Sequence, residues 1–203
     1  MRRLATGCSF FLFLLLTLLG CQKGPTIAPL SDGSVVLAFG DSLTYGTGAS
    51  REEAYPAVLA EMLGVSVVNA GVPGELSGTG AERLPALLDE VAPDLVILCH
   101  GGNDFLQRRG GDGVRKNLRQ MIALSRAAGA EVVLIAVPKL GLLLDADPLY
   151  REVADELQVP LEEDVLSDVL AERDLKSDTI HPNARGYAEM AKALQRLIEK
   201  AQR

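Results

Sequence analysis

Short, continuous apolar runs alternate along this chain with longer stretches in which apolar residues recur every three or four positions. The runs at 35–39, 65–69, 95–99 and 132–137 are rich in Val, Ile and Leu and read as strands. Between them, 54–63 carries Leu59, Met62 and Leu63 on one helical face, 80–91 is rich in Leu and Ala, and 114–128 carries Leu118, Met121, Ile122 and Leu124. Beyond the fourth strand, 148–157 and 162–172 read as helices, with a brief strand near 159–161. The helix at 183–201 closes the chain, with its stripe at Tyr187, Met190, Ala191, Leu194, Leu197 and Ile198. The strands do not alternate polar with apolar, so both of their faces are covered. This pattern predicts an α/β fold: a three-layer α/β/α sandwich around a mostly parallel sheet, in one domain.

In such sheets ligands collect beyond the carboxyl ends of the strands. The segments that follow the first three strands are Gly40-Asp41-Ser42, then Asn69-Ala70-Gly71-Val72-Pro73-Gly74, then His100-Gly101-Gly102-Asn103-Asp104. All three are polar or rich in glycine, and all are expected on one edge.

The amino-terminal part has a different character. Residues 1–20 carry Arg2 and Arg3, an apolar run from Phe10 to Leu19, and no acid. A basic start followed by an apolar run too short for a permanent span reads as a secretory signal. Leu18-Leu19-Gly20 before Cys21 resembles the bacterial lipobox, which implies a lipidated Cys21 as the mature amino terminus. Gln22 at the next position implies sorting to an outer membrane, and thus a lipid-anchored place on its periplasmic face. Residues 21–34 hold Gly, Pro, Thr and Ser and read as a tether, leaving 35–203 as the folded domain. Of the three cysteines, Cys8 lies in the signal and Cys21 is taken by lipid. Cys99 is therefore left unpaired in an apolar run, as a small buried hydrophobe. The formal net charge of −7, with no basic stripe, argues against a nucleic-acid partner.

The motif search first removes nucleotide chemistry. The turn after the first strand, GDSLTYGTG, is not G-x-G-x-x-G, and no G-x-x-x-x-G-K-[ST] occurs. Thr44 also breaks the G-x-S-x-G elbow. A hydrolytic set remains. Ser42 is a hydroxyl at a strand end, near the start of a helix, where its own N–H can face an anion. Asn103 offers an amide donor and Gly74 an unobstructed backbone N–H. Three donors on one oxygen make an oxyanion hole. The chain has two histidines, His100 and His181. His181, in Asp178-Thr179-Ile180-His181-Pro182, has an aspartate three residues earlier that can accept from one ring nitrogen while the other faces Ser42.

These blocks resemble the SGNH hydrolases, also called the GDSL esterases. Within them the chain is similar to the bacterial thioesterase I, arylesterase and lysophospholipase group. FGDSLTYG, NAGVPGELS, GGNDF and DTIHPN match four family blocks in order, and ERLPALL and Tyr55-Pro56 fit the same group; together they cover roughly residues 35–200. The resemblance implies a flavodoxin-like sandwich. It assigns Ser42, Asp178 and His181 to the catalytic triad, and the N–H groups of Ser42 and Gly74 with the Asn103 amide to the oxyanion hole. It implies no cofactor and no metal. The expected substrates are small acyl esters or lysolipids, cleaved by a monomer through an acyl-enzyme. The alternatives are a carbohydrate O-deacetylase and, further off, an envelope lipoprotein that binds without catalysis.

His100 stands where close relatives commonly carry an apolar residue, and reads as a half-buried histidine at a strand end. Val72-Pro73 stiffens the second loop. Asp41 is expected to bond backbone near its turn, and Asp104 to bond nearby loops. Arg108-Arg109 reads as a solvated pair. Glu162, Glu163 and Asp164 suit the first turn of a helix. Leu142, Leu143 and Leu144 either pack into the core or line an acyl groove, and the pattern leaves both open.

Overall fold

The computed structural model describes residues 24–139 and 145–202. The expected signal, Cys21 and the leucines at 142–144 lie outside the described residues. Five parallel strands form one sheet in the order β2-β1-β3-β4-β5. They are β1 (Val35–Gly40), β2 (Ser66–Gly71), β3 (Leu95–Cys99), β4 (Glu131–Ile135) and β5 (Leu161–Glu162). Every residue of β3 is buried, and so is all of β1 after Val35, as continuous apolar runs require when both faces are covered.

The helices follow from the strand order. The chain steps from β1 to β2 in one direction, then crosses β1 to reach β3 and continues outward. With right-handed crossovers, that reversal puts α2 (Tyr55–Leu63) on one face and α3 (Ser77–Val91) on the other. Helices α5 (Gly111–Ala127) and α6 (Pro148–Leu157) join α3, while α7 (Val165–Ala171) and α8 (Ala184–Ala201) pack with α2. Two short helices, α1 (Ser42–Tyr45) and α4 (Gly102–Leu106), follow β1 and β3 directly. No described helix is long and apolar enough to cross a membrane.

Some boundaries differ from the sequence pattern for definite reasons. Helix α3 begins three residues early, at Ser77, because Asp104 of α4 caps it: the Ser77 N–H and hydroxyl donate to the two Asp104 oxygens at 2.8 and 3.0 Å. The fourth strand ends at Ile135, so Val137 and Pro138 leave the ladder and face a cavity. The last strand is only two residues long, and Glu162 and Glu163 precede α7 rather than opening it.

The expected tether is not free along its whole length. Ile27 is buried among core residues, and its N–H donates to the Ala201 carbonyl at 3.1 Å. The Ala28 N–H donates to Glu131 Oε1 at 3.1 Å, and Leu30 packs against the core. The domain therefore begins near Ile27, not at residue 35. This strap meets the sheet at its amino edge, since Glu131 opens β4 and Ala201 ends α8.

Candidate active site

Gly40 pairs with Gly71 on one side and with Cys99 on the other, so β1, β2 and β3 end level. Their next residues leave from one edge, at the place where the chain reverses its direction across the sheet, which is where open α/β sheets form a crevice. At the end of β1 a side chain has no room: a Cβ on Gly40 would lie 2.2 Å from Thr44 Oγ1 and 2.4 Å from the Cys99 carbonyl. The chain then turns into α1. Asp41 caps it, with Oδ1 accepting from the Leu43 N–H at 3.0 Å, and Ser42 is its first residue.

Ser42 Oγ lies 3.0 Å from His181 Nε2, and His181 Nδ1 lies 2.8 Å from Asp178 Oδ2. The other Asp178 oxygen accepts the backbone N–H groups of Ile180 and His181, each at 2.8 Å. Partial desolvation opposes ionisation of Asp178, but these bonds outweigh it and hold the carboxyl below its ordinary range. With the carboxylate on Nδ1–H, the Nε2 lone pair faces the serine hydroxyl, which is the tautomer a general base needs.

The loop carrying the pair is closed on itself. Lys176 and Pro182 form an antiparallel bridge, and the Ser177 N–H donates to the His181 carbonyl at 2.9 Å. Asn183 caps α8 by accepting from the Gly186 N–H at 3.1 Å. Four residues further on, the Tyr187 hydroxyl donates to the Thr47 carbonyl at 2.8 Å, tying the His181 loop to the segment behind Ser42.

The expected oxyanion donors are placed unequally. The N–H groups of Ser42 and Gly74 have no acceptor among the described residues. Gly74 is exposed, with φ of +79°, a backbone that suits glycine. Its loop is pinned on both flanks: the Val72 N–H donates to the Gly40 carbonyl at 3.0 Å, and the Glu75 carbonyl accepts from Asn103 Nδ2 at 3.0 Å. Asn103 Nδ2 also donates to Asp41 Oδ2 at 3.1 Å, so both amide hydrogens are engaged in the resting protein. Asn103 reaches an oxyanion only by exchanging one of these bonds.

Asp41 does what its position suggested and more. It bonds its own turn, and it is also buried and serves Asn103. Burial raises its carboxyl above the ordinary range, against the opposing influence of His100 and His181. His100 is fully buried, not half-buried. Cys99 is buried, and desolvation pushes its thiol well up, so it is no nucleophile. The residue that sequence reasoning passed over is Glu75. It lies within NAGVPGELS, directly after Gly74, and its buried side chain accepts from Arg83 Nε and Nη2 at 2.8 and 2.7 Å. A glutamate between a glycine turn and a helix carrying Arg83 was the available signal.

A cavity of about 450 Å³ opens beside Ser42 and His181. Leu43, Phe105, Leu106, Val137, Leu170 and Ile180 supply its apolar wall, with Arg108 and Lys139 also lining it. Arg108 is thus a cavity residue, whereas Arg109 bonds Gln107 Oε1. Among the described residues no group of three or more His, Cys, Asp and Glu side chains could hold a metal ion.

Residues 38–189, which contain every element of this edge, match the model of the GDSL-like lipase/acylhydrolase family. The chain belongs to that family. It is 34% identical over 200 residues to the Escherichia coli (strain K12) thioesterase 1/protease 1/lysophospholipase L1, covering 93% of this chain and 92% of that one. It is 32% identical over 161 residues to a Vibrio mimicus arylesterase, covering 72% of this chain and 79% of the relative. The psychrotrophic esterase EstA from Pseudoalteromonas sp., in a structure inhibited by monoethylphosphonate, superposes with a TM-score of 0.73 at 26% identity, covering 82% of this chain and 97% of that one. As a GDSL-like acylhydrolase the chain is a carboxylic ester hydrolase, on the same parallel sheet flanked by helices.

Proposed function

We propose that the protein is a serine esterase that cleaves acyl esters through an acyl-enzyme. The observation that carries this reading is the unbroken chain from Ser42 Oγ to His181 Nε2 to Asp178 at 3.0 and 2.8 Å. Ser42 Oγ attacks the carbonyl carbon and its proton passes to His181 Nε2. Asp178 holds the ring and stabilises the imidazolium. The oxyanion meets the N–H groups of Ser42 and Gly74, and Asn103 joins by releasing one internal bond. On collapse, the leaving alcohol or thiol takes the proton from His181. Water then loses a proton to His181 and attacks the acyl-serine; the bond to Ser42 Oγ breaks, His181 returns the proton to Oγ, and the acid leaves.

The largely apolar wall supports substrates with an acyl or aryl group: lysophospholipids, short acyl or aryl esters, and thioesters. The relatives named for arylesterase, thioesterase and lysophospholipase activities support the same range. A carbohydrate O-deacetylase would call for aromatic platforms, whereas this chain has no Trp and the wall is chiefly aliphatic. The decisive test is a fluorophosphonate probe together with p-nitrophenyl esters of increasing chain length. Wild type should label and turn over, and Ser42→Ala should do neither while keeping its melting temperature. Turnover surviving in a clean Ser42→Ala preparation would remove Ser42 as nucleophile.

The proposed location is the periplasmic face of an outer membrane, with the chain attached through acylated Cys21. Each buried methylene adds about 0.8 kcal/mol, so several acyl chains hold firmly. Cys21→Ser should move the protein from the membrane fraction to the soluble one with unchanged specific activity. A wild type that takes up no fatty-acid label and fractionates as soluble would overturn the anchor.

A further inference from the structure

Behind the oxyanion loop lies a group of polar side chains that the catalytic chain does not use. His100, the residue after β3, is fully buried. Its ring packs on Phe39 with centroids 5.2 Å apart, and its Nδ1 has no hydrogen-bond partner among the described residues. Its Nε2 approaches Glu75 Oε2 at 3.2 Å, with the ring N–H off the line of a full hydrogen bond. Nε2 is thus the ring nitrogen that faces an acceptor. Glu75 is clamped from its other side by Arg83, whose Nη2 also donates to the Ala70 carbonyl at 3.0 Å and whose guanidinium lies over Phe39 at 4.3 Å.

Space for the histidine comes from α3. A Cβ on Gly80 would lie 2.6 Å from His100 Nε2 and 2.9 Å from Cε1. The imidazole thus occupies a slot that only a glycine at 80 leaves open, and the slot aims it at one carboxylate. That carboxylate belongs to the residue joined to Gly74, and the same residue's carbonyl accepts from Asn103 Nδ2. Glu75 is where the supports of the two oxyanion donors outside α1 meet.

We propose that His100 is a positioning residue for the oxyanion hole, acting through Glu75. With Arg83 it grips the Glu75 side chain from two directions, so that the backbone at 74–75 stays fixed when Asn103 gives up an internal bond to the oxyanion. The inference rests on the serine-esterase reading. Its role lies in the transition state, because the ground-state carbonyl draws less on these donors than the oxyanion does. An apolar residue at 100 would leave Oε2 facing hydrocarbon on that side. A glutamine places an amide N–H near the site of Nε2 and keeps the grip.

The test compares His100→Leu with His100→Gln on a p-nitrophenyl ester, and measures inhibition by a substrate-like alkyl boronic acid, which forms a tetrahedral adduct on the serine. His100→Leu should lose about tenfold or more in kcat with KM within about twofold, whereas His100→Gln should stay within about threefold of wild type. Boronate affinity should fall with kcat in the leucine variant. A leucine variant with wild-type kcat, a loss confined to KM, an equal loss in both variants or an unchanged boronate affinity would each overturn the proposal. If His100→Leu does not fold, Gly80→Ala takes its place, because the added methyl must displace the ring. It should show the same loss in kcat, and wild-type kcat there overturns the proposal. Wild type must first label with the fluorophosphonate. Failure at that step counts against Ser42 as the nucleophile, whereas differences among labelling variants bear on His100 alone.

Discussion

Ser42 stands on a floor of buried side chains, whereas His181 stands on a loop open to water. Beneath the serine, Asp41, Thr44 and Cys99 are buried, and the oxyanion side adds buried Glu75 and His100. Their bonds join residues far apart in sequence, such as Asn103 with Asp41 and with Glu75. The base side is local. The Asp178 side chain is 52% exposed, and each of its three bonds goes to a residue within three positions. In the proposed mechanism the sheet edge fixes where charge develops, while a short self-closed loop delivers the proton acceptor. Damage on the base side should therefore cost chemistry alone, and damage on the oxyanion side should cost chemistry and stability together.

Asp178→Asn is the sharpest break of this contrast. It inverts the hydrogen-bond preference at His181 Nδ1 and should lower kcat by about a thousandfold or more. Because the carboxylate is exposed and bonded locally, the melting temperature should hardly move. A large fall in thermal stability would mean that the base loop braces the domain after all.

Asn103→Ala should lower kcat on the order of a hundredfold with little change in KM. It also strips Asp41 Oδ2 and the Glu75 carbonyl of a donor, so it should destabilise by roughly 1–3 kcal/mol. Chemical denaturation beside the kinetics checks both parts. Full stability with impaired kcat would erase the distinction between the two sides.

The smallest expected effect is in pH dependence. Burial opposes ionisation of Glu75, yet the close approach of His100 and the bonds from Arg83 bring its carboxyl down to about 2. A depressed carboxyl stabilises the fold above its unfolded value of about 4.3, and that gain is lost as pH falls toward 2. Asp41 has the opposite sign: its raised carboxyl favours the fold at low pH, and that contribution fades as pH rises through its folded value. The stability gap between wild type and Glu75→Gln should therefore narrow steadily below about pH 4.3. A gap independent of pH over that range would show that Glu75 acts by shape and not by charge.

The same division governs what the chain could reveal as a sequence. The strand Leu95–Cys99 and the helix Pro148–Leu157 match the pattern at both ends, the first as a continuous apolar run, the second because Asp147 and Pro148 mark its start. The Asp178 to His181 pair was legible because its geometry lies within four residues. Of the two short helices only the start of α1 beside Ser42 was legible, and α4 was not, since four or five residues show no periodicity. Nor was the true start of α3, whose cap comes from Asp104, 27 positions away from Ser77. The depth of His100 depends on Gly80, and the task of Glu75 depends on Arg83 and Asn103. Those are agreements between distant residues, which a pattern of hydrophobic and polar positions does not record.

The strap at the amino edge would set which way the domain points, were the chain anchored at Cys21 as proposed. Ile27 and Ala28 are fastened beside Glu131 and Ala201, at the end of the sheet opposite Ser42. From Cys21 to Ile27 the chain is six residues long and spans at most about 22 Å when fully stretched. A domain of this size is roughly 40 Å across. A leash so much shorter than the body it holds cannot let that body roll over. An anchor at Cys21, as proposed above, would hold the domain by its foot and leave the cavity mouth aimed outward. If the proposed acylation at Cys21 holds the chain, an ester in the anchoring leaflet is out of reach, while one dissolved in the surrounding water, or carried on a facing surface, meets the mouth directly.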